Sequence, residues 1–78
     1  MNIYKTALDV QDACNITAVV KSFAEALVTL SRNGNDTRQL IAHPVTTMFM
    51  SKLQSMTQAT DTVDAFGKAY DACEREAL

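Results

Sequence analysis

With 78 residues, 47% of them hydrophobic and only two glycines and one proline, the chain reads as one small folded domain, residues 1–78. Enough apolar surface is present to offset the entropy of ordering, which excludes a disordered segment. A domain this small buries only about 60 to 65% of the surface of its unfolded chain, so a deep substrate pocket would remove packing the core cannot spare. An enzyme is therefore not expected, and no cofactor is implied. Seven Lys and Arg against nine Asp and Glu leave a formal net charge of −2, which weighs against a protein that relies on neutralising phosphates. No run of 18 apolar residues occurs, and the opening Met-Asn-Ile-Tyr-Lys lacks the apolar region of a secretion signal. A cytoplasmic location without membrane contact is the expectation.

Residues 3 to 13 predict a short helix with Ile3, Ala7, Leu8 and Cys14 inward and Lys5, Asp9 and Asp12 outward. Asn15 to Gly34 predicts a complete amphipathic helix with both ends marked. Ile16, Val19, Val20, Phe23, Leu27 and Leu30 recur at spacings of three and four, whereas Lys21, Ser22, Glu25, Thr29 and Arg32 take the other side. Asn15 is the N-cap, and Asn33-Gly34 supplies the left-handed turn that closes the C-terminus. Asp36 or Thr37 then caps a short helix through Leu40 and Ile41, which Pro44 stops.

A new helix restarts at Pro44, where the missing N–H costs nothing. It places Val45, Met48, Phe49, Leu53 and Met56 inward, Thr46, Thr47, Ser51, Lys52 and Ser55 outward, and Met50 on the flank. After the Gln58-Ala59-Thr60 connection, Thr60 or Asp61 begins the last helix, with Asp61 and Asp64 in its first turn as the helix dipole favours. Its inner stripe is expected at Val63, Phe66, Tyr70, Cys73 and Ala77, with Gly67 permitting a close helix crossing. Phe23, Leu27, Phe49, Leu53, Phe66 and Tyr70 would form the mutually packed core. The fold class is all-α: a small antiparallel bundle of three longer helices with one or two short ones.

Few residues point to chemistry. His43 is the only histidine and has no acid fixed beside it, so it reads as a junction residue before Pro44. Cys14, Cys73 and His43 lack the paired spacing of a zinc site, and the two cysteines are expected to be buried thiols in a metal-free protein. The turn at Asn33 to Asp36 followed by Thr37-Arg38-Gln39-Leu40 resembles a helix-turn-helix tip, but Pro44 cuts that helix after less than two turns. The last third of the chain is acidic. Asp61, Asp64, Asp71 and Glu74 are the candidate partner-binding residues, on a face that would dock on a basic surface if it is more than solvated polar surface.

The segments Asn2-Ile3-Tyr4-Lys5-Thr6-Ala7-Leu8-Asp9-Val10-Gln11-Asp12-Ala13-Cys14, His43-Pro44-Val45 and Ala65-Phe66-Gly67-Lys68-Ala69-Tyr70-Asp71-Ala72-Cys73 resemble small helical accessory proteins of bacteriophages and plasmids of Gram-negative bacteria. Some proteins of that kind are anti-CRISPR or other anti-defence inhibitors. The resemblance implies a non-enzymatic inhibitor that occupies a surface of a host protein complex, such as a type I CRISPR effector, which itself binds nucleic acid. It carries over no binding residue. Direct nucleic-acid binding is not expected. The alternatives are a small DNA-binding regulator using Thr37 to Leu40 and a homodimeric structural protein joined through its last helix.

Overall fold

The computed structural model describes residues 3–77 as five helices: α1 (Ile3–Asp12), α2 (Ile16–Arg32), α3 (Thr37–Ala42), α4 (Pro44–Thr57) and α5 (Thr62–Ala77). The protein is all-α, with three longer helices and two short ones. α2 and α4 pack together at the centre, α1 lies against both on one side and α5 against both on the other. α1 and α5 do not meet among the described residues, and α3 closes one end against α2 and α4. Thr17 faces Cys73 and Glu76, while Phe23 faces Phe66, so α2 and α5 run antiparallel.

Local chemistry explains the breaks between helices. The Asn15 side chain accepts the Ala18 N–H at 3.0 Å and starts α2. At its other end Gly34 N–H donates to the Ser31 carbonyl and Asn35 N–H to that of Leu30, with Gly34 at φ +83°. This paired closure satisfies carbonyls that the helix itself leaves open. Asp36 caps α3 through Gln39 N–H at 2.9 Å. His43 serves two helices at once: its N–H donates to the Leu40 carbonyl of α3, and its Nδ1 accepts the Val45 N–H of α4. α4 ends on Gln58 in the left-handed region at φ 54°. Asp61 starts α5, its carboxylate accepting the Asp64 N–H at 2.8 Å.

The core is built around Phe49, Leu53, Val10 and Val19, which are fully buried. Phe23 packs its ring edge-on against Phe49 at 5.3 Å and against Phe66 at 5.9 Å. Each fully buried large side chain contributes about 1.5 to 3 kcal/mol, against a total stability of about 4 to 12 kcal/mol for a chain of this length. Lys52, expected to point outward, reaches from α4 to donate to the Gln11 carbonyl at 3.2 Å. Its cation thereby sits at the negative end of the α1 dipole.

Three expectations are corrected. In α1, Thr6 and Val10 are buried and Ile3 and Ala7 half-buried, while Leu8 and Cys14 are exposed. The inward stripe therefore runs 3, 6, 7, 10, and Cys14 lies in the connection beyond it. In α4, Thr46 is buried instead of exposed, because its hydroxyl donates to the Leu40 carbonyl at 2.6 Å and ties the start of α4 to the end of α3. The largest correction is in α5.

There the buried residues are Ala65 and Ala69, with Ala72 and Cys73 half-buried. Val63 and Tyr70 are exposed, and Phe66 is partly exposed, with its ring packed against Phe23. The helix is turned about a quarter of a revolution from the expected phase, so that its small side chains face the bundle. A Cβ at Gly67 would meet nothing within 4 Å, so this glycine makes no close crossing. The side chain of Ala77, expected on the inner stripe, lies outside the described residues.

Candidate functional site

The rotation of α5 leaves its large apolar side chains on the surface, and the neighbouring helices extend that surface. Val63 is 82% exposed, Tyr70 66% and Phe66 39% on α5; Val28 is 50% exposed on α2, and Ile41 65% on α3. Val20 of α2 shares a shallow groove with Phe66, Gly67, Tyr70 and Cys73. Leu27 and Val28 share a second groove with Leu40 and Ile41. The antiparallel register places Leu27 at the level of Val63, so the two grooves lie along one face that runs from Cys73 to Ile41. Scattered apolar side chains are ordinary on a protein surface, whereas these are grouped along α2, α3 and α5, which makes this face the candidate site.

The four candidate acids divide into two pairs. Asp61 and Asp64 work at the start of α5: Asp61 caps it, and Asp64 accepts the Thr60 N–H at 3.4 Å and pairs with Lys68 at 3.2 Å. Asp71 and Glu74 are exposed farther along the helix. At about 100° per residue, Glu74 borders the Val63–Phe66–Tyr70 stripe and Asp71 lies just beyond it, whereas Asp64, Lys68 and Arg75 occupy the helix back. One acid and two cations share that back, with Asp64 paired to Lys68. The acid-rich edge is the one beside the apolar face.

The opposite edge of the face belongs to α2. Lys21 and Arg32 are exposed just past Ala24 and Val28, and Glu25, half-buried, lies slightly farther round. The face thus has a basic-leaning rim on α2 and an acidic rim on α5.

The other candidate groups do not assemble. Cys14 and Cys73 are both thiols; Cys14 is exposed rather than buried, and Cys73 is half-buried with its Sγ 3.5 Å from the Thr17 hydroxyl oxygen. Thr17 donates to the Glu76 carboxylate, a bond that joins the start of α2 to the last turn of α5. His43 is committed to the α3–α4 corner. Among the described residues, no three His, Cys, Asp or Glu side chains lie close enough to hold a metal ion, and no helix is long and apolar enough to cross a membrane. Arg38 and Gln39 are exposed on α3, whose six residues extend only about 9 Å.

Sequence reasoning missed this face because it assigned Val63, Phe66 and Tyr70 to the core. The signal that could have found it was the second stripe of α5, Ala65, Ala69 and Ala72, which has the same helical spacing. In comparisons with known proteins, the chain matches no family model, no curated protein and no solved structure.

Proposed function

We propose that this chain is a non-enzymatic protein-binding module whose working surface is the apolar face of α5, α2 and α3. One observation carries the reading: α5 packs through alanines while Val63 and Tyr70 stand in solvent and Phe66 is partly exposed beside them. Leaving Val63 and Tyr70 mostly in solvent on a domain with so small a core has no folding benefit, whereas aromatic side chains in the centre of an interface dominate its energy. The acidic and basic rims would fix orientation and partner choice.

A finer proposal names the setting. The bound protein belongs to a bacterial defence complex such as a type I CRISPR effector, and the module inhibits it by covering a functional surface. The resemblance to small phage and plasmid proteins supports this part. Immobilised chain should retain a bacterial protein in stoichiometric amount, and Phe66→Glu with Tyr70→Glu should abolish that retention without altering the circular-dichroism melt. Undiminished retention by the double variant would refute the assignment of the face. Expression in a host whose type I system targets an infecting phage should restore plaques, and unchanged resistance would refute the inhibitor role.

A further inference from the structure

We propose that the apolar face is the interface of a symmetric homodimer in which α5 of one copy lies on α2 of the other. This rests on the reading of the face as a docking surface and names its occupant in the free protein, a second copy that the host protein of the proposed function would displace. The first argument is area. The exposed parts of Val28, Ile41, Val63, Phe66 and Tyr70 amount to about 500 Å2 per copy, so a pair would cover about 1,000 Å2 of apolar surface before the rims are added. With the rims the contact approaches the roughly 1,600 Å2 of a stable interface.

The second argument is charge, and it also selects the geometry. A two-fold axis in the plane of the face can run across the helices or along them. An axis across them stacks α5 antiparallel on its own copy and α2 on its own copy, which leaves neither Asp71 nor Glu74 facing Lys21. An axis along them sets α5 over α2 of the second copy, with each acidic rim against a basic one. The levels also match. Thr17 lies opposite Cys73 and Phe23 opposite Phe66, so Lys21 projects at the level of residues 68–71, within one helical turn of Asp71 and Glu74. Each Lys21 would then meet Asp71 and Glu74 of the second copy, twice per dimer. Gly67, where a Cβ would meet nothing within 4 Å, offers the second copy close approach at the middle of α5. The α1 side and the back of α5, with Asp64 and Lys68, stay open to a further partner.

Sedimentation equilibrium from about 1 to 200 μM should show a reversible dimer. Lys21→Glu alone, and Asp71→Lys with Glu74→Lys alone, should each weaken it at least about tenfold, and the three changes combined in one chain should restore it, since both rims then exchange sign. In a Cys14→Ser, Cys73→Ser background, Ala24→Cys with Gly67→Cys should give a covalent dimer under mild oxidation, while Gly67→Cys alone should not. A monomer throughout the concentration range would overturn the dimer, as would failure of the combined reversal to restore it or self-linking through Gly67→Cys. The docking reading fails separately. A monomer whose protein retention is still lost with Phe66→Glu and Tyr70→Glu refutes only the dimer, whereas a monomer with retention intact refutes both.

Discussion

The phase of α5 can be tested by a pair of substitutions whose effects a core built on its large side chains would reverse. Ala69 is fully enclosed between α5 and the rest of the bundle, whereas Tyr70, its neighbour in sequence, is mostly in solvent. Ala69→Leu adds three carbon atoms where no room exists, and overpacking of this kind costs about 1 to 3 kcal/mol. For a domain of 60 to 100 residues that corresponds to a melting point lowered by roughly 5 to 20 °C. Tyr70→Gln removes a largely exposed ring and inserts a good helix former, so its effect on the folded monomer should stay within about 0.5 kcal/mol. Thermal melts followed by circular dichroism at low micromolar concentration, where self-association contributes least, separate the two. If Tyr70→Gln loses many degrees while Ala69→Leu melts like the parent, α5 faces the bundle with its aromatic side and the apolar face does not exist.

Three further outcomes follow from positions described above. Phe49→Ala removes a fully buried ring and its edge contact with Phe23; a loss of about 3 to 5 kcal/mol should leave the chain largely unfolded, as urea titration would show. Gln58→Gly relieves a non-glycine residue held at φ 54° and should raise the urea midpoint by the equivalent of up to about 1 kcal/mol, whereas an unchanged or lower midpoint would mean that the Gln58 side chain stabilises the turn. Cys14 should react with an aromatic disulfide reagent in the native protein well before half-buried Cys73, and mass spectrometry of the first-labelled site checks the order.

The central helices were legible because their apolar residues are large and their ends carry side chains with one job. Ile16, Val19, Phe23 and Leu30 give α2 a single stripe, and Asn15 and Gly34 bound it. Asp36, Pro44 and Asp61 marked the other starts in the same way. α5 was misread because two stripes compete on it. Large hydrophobic side chains outweigh alanine in any reading based on transfer free energy, yet alanine seams let helix axes approach closely, and that gain is decided by the partner surface. Thr46 was misplaced for a related reason: its hydroxyl is polar in sequence but finds the Leu40 carbonyl only once α3 and α4 meet. Val63, Phe66, Tyr70, Leu27 and Ile41 of the candidate face were noticed, and Val28 was not. Their side of the helix could not be known without the packing of α5 on α2 and α4.

The corner at His43 sets how the end of the face behaves. α3 and α4 share this one residue as their whole linker, and its N–H, ring nitrogen and carbonyl are each engaged, the carbonyl by Thr47 N–H. Thr46 adds a fourth bond across the same corner. α3 therefore has no slack in which to swing, and Leu40 and Ile41 are held in register with the buried rows of α4. A surface fixed in this way loses little entropy when something settles on it. The same rigidity makes the corner intolerant of length: one residue added between Ala42 and Pro44 would have to break these bonds or turn α3 by about 100°, carrying Ile41 off the face.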